Sequence, residues 1–158
     1  MPLPTLDPQV IARSARADER YGPDFSYGHY ALVKRLPIAV GGVAGLVGVV
    51  AAAQVPPLRR ALLSRVPSGQ GPSEAQMAKG WFSVRFVGQT ADGAHRVVCE
   101  VRGGDPGYRE TSRMLADATL CLAFDELPAT AGQVTTAQAM GPALRARLER
   151  SGITFSKV

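Results

Sequence analysis

Tyr27, His29 and Tyr30 are the residues of this sequence whose types and spacing best fit a ligand cavity. They lie in residues 21–30, which hold four of the ten aromatic residues and one of the two histidines. Aromatic rings with polar tips can line an apolar pocket and fix a ligand within it. The same density is also typical of a packed loop or of an aromatic belt at a membrane interface. We predict that these three side chains line a substrate pocket.

The other reactive residues form no recognisable catalytic or metal-binding constellation. There is no G-x-S-x-G nucleophile motif, and two histidines are too few for a histidine-rich metal site. His95 follows a predicted hairpin turn, where a solvated role is expected. Cys99 and Cys121 are isolated in apolar surroundings, which indicates core packing and a reducing compartment. No catalytic residue is assigned, and no metal site is predicted.

Glycine-rich segments occur twice, but neither fits a dinucleotide-binding turn. That turn needs G-x-G-x-x-G between a strand and a helix. Gly41–Gly45 lies inside an apolar run with no strand before it. Gly103–Gly107 does join a predicted strand to a helix, but Asp105 would repel a phosphate and Pro106 lacks a backbone donor. We predict that Asp105 caps the helix and that this chain has no cofactor-binding residues.

An uncharged run at 36–58 is the most apolar segment of the chain. As a helix, its central 18 residues would be about 27 Å long, close to the hydrocarbon thickness of a bilayer. Arg35 and Arg59 flank the run, which suits anionic headgroups. Partial membrane insertion, a buried core helix and a full span all remain open. The predicted membrane contacts are Ile38, Val40, Val43, Leu46, Val47, Val49 and Val50.

Composition places the 158 residues among folded proteins, with 46% hydrophobic and 20% charged residues. The net charge of +5 is spread along the chain without a basic arm, so no nucleic-acid partner is predicted. The first residues, Met1–Pro4, do not resemble a secretory signal. We expect a cytoplasmic protein, peripheral on the inner face of the plasma membrane if the apolar run inserts.

Three regions are predicted within an α+β fold. Residues 1–66 combine a helix from Asp7 to about Tyr21, the aromatic loop and the apolar helical segment. Residues 67–79 form a polar linker, and residues 80–158 form a compact α+β region.

The compact region begins with a predicted β-hairpin, because apolar residues alternate on both sides of the Thr90–Gly93 turn. Two helices and a short closing strand at 153–155 follow. The second helix is predicted to start at the Thr135 capping box. Helical spacing in the first helix predicts one buried stripe, formed by Tyr108, Thr111, Leu115, Ala118 and Leu122.

Several runs, taken in order, carry a family resemblance. They are Pro2–Pro8, Tyr21–Tyr30, Gly80–Phe82, Gly103–Tyr108, Thr130–Thr136 and Gly152–Phe155. In this order they resemble the C-terminal part of saccharopine dehydrogenase-like oxidoreductases, in particular the trans-acting enoyl reductases of actinobacterial lipid synthesis.

The resemblance implies a longer α/β oxidoreductase with an N-terminal Rossmann domain for NADPH, which reduces an enoyl bond on a lipid or acyl substrate. It also implies association with a membrane surface. The Rossmann half has no counterpart in these residues, so we expect a C-terminal fragment that cannot transfer hydride alone. Two alternatives remain: a small membrane-associated binding protein, or one subunit of a split reductase completed by a separate Rossmann-domain chain.

Overall fold

The computed structural model of the chain describes residues 6–32, 35–64, 69 and 71–158, and gives Ile38 and Ala39 as backbone only. Within them, helices accompany one three-stranded antiparallel sheet, which confirms the predicted α+β class. The described strands include no parallel pair, so no Rossmann fold is present among them. Contacts divide the chain into two units, Met1–Ala12 with Phe25–Gly71 and Arg13–Asp24 with Pro72–Val158.

The first helix, α1, is shorter than the sequence predicted. It spans Asp7–Arg16 instead of reaching Tyr21, and a separate 3-10 turn follows at Glu19–Tyr21. The carboxylate of Asp18 accepts a backbone hydrogen bond at the start of that turn, which favours a cap over continued helix. Gly22, with a φ of 72°, ends it.

Two helices joined at a sharp bend form the apolar part of the first unit. Helix α2 spans Leu36–Gln54, within the uncharged run that was predicted to be helical, and helix α3 spans Pro56–Ser64. Pro56 has no amide hydrogen and cannot continue the hydrogen bonding of α2. Its ring also forces the preceding Val55 into an extended conformation. The axes of Val40–Gln54 and α3 therefore differ by 112°.

The sheet of the second unit contains β1 at Phe82–Gln89, β2 at Arg96–Gly103 and β3 at Thr154–Lys157, in the order β1-β2-β3. Antiparallel pairing places Val84 opposite Val101, and Val101 opposite Phe155. Because directly opposed residues share a face, one face is apolar and the other is polar. The predicted hairpin and closing strand are thus confirmed.

Four helices complete the second unit: α4 at Glu74–Met77, α5 at Arg109–Phe124, α6 at Thr136–Ala139 and α7 at Gly141–Arg150. The short α4 lies inside the segment predicted as a linker, where Ser73 and Gln76 form a capping box. The predicted capping box at Thr135 and Gln138 also forms. The helix it starts is interrupted before Gly141, where α7 begins.

The buried face of α5 differs from the prediction. Its buried residues are Glu110 and Cys121, and this helix packs against α7. Leu115 and Leu122 of the predicted stripe are instead 69% and 60% exposed, and Tyr108 is exposed as well. The predicted stripe is not the face that α5 buries, because α7 packs against a neighbouring face that includes Cys121.

Candidate functional site

Tyr27 and His29, two of the three predicted pocket residues, form a hydrogen-bonded pair. The Tyr27 Oη and His29 Nδ1 atoms are 3.0 Å apart, and both side chains are half-buried. Their rings are tilted by 59°, with centroids 6.2 Å apart. Burial raises the pKa of the Tyr27 phenol, and the negative charge of Asp7 acts in the same direction. The phenol is therefore held protonated, and the pair can pass a proton through its hydrogen bond.

Tyr30, the third predicted residue, is 70% exposed and lies over the backbone of Gly28. A Cβ atom at position 28 would stand 2.7 Å from Cε2 and 2.8 Å from Oη of the Tyr30 ring. Glycine is thus what allows the ring to come this close to the loop. The segment brings the three residues together locally, with Tyr30 facing solvent.

A buried carboxylate that sequence reasoning missed lies on the polar face of the sheet. Glu100 of β2 is only 6% exposed, and it accepts a hydrogen bond of 2.9 Å from Ser83 Oγ. Arg102 and Arg85 approach its oxygens at 2.6 Å and 3.5 Å. The Ser83 hydrogen bond and the two guanidinium groups lower the pKa of Glu100. This carboxylate is locked in its charged form, which suits a structural role better than proton transfer.

A second missed cluster joins the end of α5 to α7. Asp125 accepts two hydrogen bonds from Arg147, at 2.7 Å from Nε and 2.6 Å from Nη2. This pairing lowers the pKa of Asp125 to about 2. Burial raises the pKa of the neighbouring Cys121 thiol, so this cysteine is an unreactive core residue, as the sequence indicated. The contacts of Glu100 with Ser83 and Arg85, and the pair of Asp125 and Arg147, could not be found from sequence spacing, because their members lie on different elements.

The start of α5 is already occupied by a side chain of the protein. Asp105 Oδ2 accepts hydrogen bonds from the amides of Tyr108 and Arg109 at 2.8 Å and 3.0 Å. The predicted capping role of Asp105 is confirmed. A phosphate at this helix end would have to displace a carboxylate from the same amides. Among the described residues, no group of three or more metal-ligating side chains occurs.

Helix α2 exposes the apolar residues that the sequence predicts as membrane contacts. Val40, Val43, Leu46, Val47, Val49 and Val50 are all exposed, whereas the side chain of Ile38 lies outside the described part of the chain. No single helix within the described residues is long and apolar enough to cross a membrane. Val40–Gln54 and α3 together meet that test by length and composition, across their 112° bend.

Comparison with known proteins finds relatives that carry one common name. A Mycobacterium tuberculosis protein named as a trans-acting enoyl reductase is 34% identical over 140 residues, or 86% of this chain. Similar proteins of the same name occur in Mycobacterium bovis, at 34% identity over 141 residues, and in Mycobacterium ulcerans, at 31% over 168 residues. The alignments cover 86% and 94% of this chain, respectively. No family model and no solved structure matches the chain.

The extent of these alignments differs sharply between the chain and its relatives. The matched stretch is only 33% of the Mycobacterium tuberculosis and Mycobacterium bovis proteins, and 38% of the Mycobacterium ulcerans protein. The chain therefore spans about a third of the length of the curated relatives it matches. This chain therefore belongs to the family of the trans-acting enoyl reductases, and it matches one part of those proteins.

Proposed function

We propose that this chain is the C-terminal, substrate-facing part of a saccharopine dehydrogenase-like enoyl reductase that acts on acyl chains in lipid synthesis. The observation that carries the proposal is the homology of most of the chain to one third of proteins named for enoyl reduction. An enoyl reductase saturates a carbon–carbon double bond by adding a hydride and a proton. The two additions require different machinery, and this chain can supply only one of them.

NADPH, expected as the hydride donor of the longer enzyme, does not fit the described residues. The one glycine-rich turn between a strand and a helix has its amides capped by Asp105, and the sequence lacks the dinucleotide fingerprint. We therefore expect NADPH to be held by polypeptide outside this chain. That polypeptide is either the remainder of a longer protein or, as an alternative, a separate Rossmann-domain chain.

The proton is what Tyr27 and His29 can supply. The Tyr27 phenol is half-buried, and it is held protonated by its surroundings. At 3.0 Å, a protonated His29 is close enough to return a proton to the phenolate after Tyr27 has donated its own to the substrate carbon, and solvent then reprotonates the imidazole. In this proposal Tyr27 is the proton donor, His29 restores it, and Tyr30 contacts the acyl chain at the solvent side.

The test replaces the matched third of the Mycobacterium tuberculosis relative with this full chain, and follows NADPH consumption with an enoyl thioester. We expect turnover from the chimera, and a loss of about 100-fold in the Tyr27→Phe variant, since a general acid contributes at least that much. Tyr21→Phe, at an exposed tyrosine outside the proposed site, is the matched control and should keep the full rate. Micromolar NADPH binding by the isolated chain, or full activity of Tyr27→Phe, would contradict the proposal.

A second candidate function is membrane-associated binding without catalysis, on the inner face of the plasma membrane. It is favoured by α2, whose apolar side chains are exposed although a helix that is apolar on all sides normally lies in a core or in lipid. Arg59 and Arg60 on α3 lie just past the bend, where they suit anionic headgroups. In this reading α2 enters one leaflet and α3 lies along the surface.

Flotation with vesicles of phosphatidylglycerol and phosphatidylcholine tests this second function. The chain should float with the anionic vesicles, and Leu46→Asp with Val50→Asp should abolish flotation because a carboxylate in the hydrocarbon is costly. Leu115→Asp with Leu122→Asp, equally exposed but on α5, is the matched control and should still float. If both double variants float like the parent chain, α2 does not enter the membrane.

A further inference from the structure

The exposed apolar stripe of α5 lacks the packing that such a stripe normally has. Its members lie within about 60° of one another around the helix, since successive residues are about 100° apart. We define the outer stripe of α5 as Tyr108, Thr111, Leu115 and Leu122, all exposed to solvent. The stripe contains no charged residue, and α7 packs against the neighbouring face that includes Cys121.

The apolar face of the sheet in the same unit is also left partly exposed. Phe86, Val97 and Phe155 remain more than a third exposed, although alternation places them on the face that should be covered. The apolar residues that are nearly fully buried among the described part of the chain are only Ala15, Cys121, Met140 and Ile153. Such a core is small for this length of sequence.

The accessible surface of the chain is larger than its mass would predict. The chain exposes 12519 Å², whereas even two separate compact proteins of half its mass each would expose about 9,200 Å² together. Exposed apolar residues such as Leu115, Leu122 and Phe86 are typical of a polypeptide that packs against something further. The curated relatives carry about two-thirds of their length outside the matched stretch, which is ample polypeptide to cover it.

We propose that the outer stripe of α5 is the docking surface for the polypeptide that the relatives carry outside the matched third. The proposal rests on the function proposed above, and it names where the two parts meet. The uncharged stripe would be buried against an apolar surface of that polypeptide. The charged residues Arg109 and Arg113 lie on other faces of α5, outside the stripe, and both are exposed.

Cysteine accessibility tests this surface directly in a Cys99→Ser background, where the native Cys121 is buried. Leu115→Cys and Leu122→Cys are labelled with a maleimide, first in the isolated chain and then in the chimera with the Mycobacterium tuberculosis relative. Labelling should slow by about tenfold or more in the chimera, because a covered thiol reacts only after local opening. Ala116→Cys and Ala123→Cys, exposed about 100° around α5 from Leu115 and Leu122, are the matched controls and should be labelled equally in both.

Equal labelling of the stripe in both proteins, or equal slowing of the controls, overturns the proposal. Protection of the stripe in the isolated chain that increases with its concentration also overturns it, in favour of a second copy as the occupant. If the chimera does not fold, the remainder of the relative is added as a separate chain, with the same expected protection. Protection of the stripe without enoyl reduction would contradict the proposed function but still support the docking surface. Enoyl reduction without protection would support the proposed function and contradict the docking surface.

Discussion

Truncating Ile153 should destabilise this chain far more than truncating Leu115, although both are large aliphatic residues. Ile153 is 2% exposed, and its amide donates a hydrogen bond of 3.0 Å to the Leu148 carbonyl as the chain enters β3. Ile153→Ala removes a buried side chain and leaves a cavity, at a cost of about 2–5 kcal/mol. That is a large share of the stability of a typical domain, about 5–15 kcal/mol.

Leu115→Ala removes a side chain that is already 69% exposed. Burying less than a third of a leucine contributes about 0.5–0.9 kcal/mol, taken as a fraction of the about 1.5–3 kcal/mol for full burial. The slightly better helix propensity of alanine offsets part of even this amount. The two substitutions should therefore differ by at least about 1–2 kcal/mol in the isolated chain.

Urea denaturation, followed by circular dichroism and by the fluorescence of Trp81, measures both changes. Equal losses for Ile153→Ala and Leu115→Ala would refute the reasoning, because they would mean that Leu115 is packed in the isolated chain. In the chimera described above, the cost of Leu115→Ala should increase while that of Ile153→Ala stays the same. That shift would be an independent sign of a covered stripe.

Three further predictions concern titratable groups. The pKa of Asp125 is lowered from 3.8 to about 2, so its charged form stabilises the fold above pH 3.8. This contribution is lost as the pH falls towards 2. In acid denaturation, Asp125→Asn should therefore reduce the pH dependence of the unfolding free energy between pH 3.8 and 2. Cys121 should resist a thiol reagent in the folded chain while the half-exposed Cys99 reacts, and in denaturant both should react equally. In an alkaline ultraviolet titration, Tyr27→Phe should remove the part of the absorbance change that appears at the highest pH, because the pKa of Tyr27 is raised. Loss of a part that appears at lower pH would contradict this prediction.

Most of the local elements of this protein can be predicted from its sequence. Alternation around the Thr90–Gly93 turn predicted β1 and β2, and the uncharged run predicted α2, with a break at the prolines. The cap at Asp105 and the capping box at Thr135 were also readable, because each depends on residues three or four positions apart. Such features are decided by short-range hydrogen bonding and by the period of the apolar residues.

Which surfaces are covered depends on long-range packing and could not be predicted from the sequence. Periodicity predicted a buried stripe on α5 that the structure leaves mostly exposed, because a stripe in a sequence does not say whether its partner belongs to the same chain. The buried ion network at Glu100 depends on the strand register, and the pair of Asp125 and Arg147 depends on how α5 packs against α7. Proximity in the sequence placed Tyr27 near His29, but the 3.0 Å hydrogen bond between them required the conformation of the loop. Long-range packing sets these contacts, because their energies depend on groups far apart in the chain.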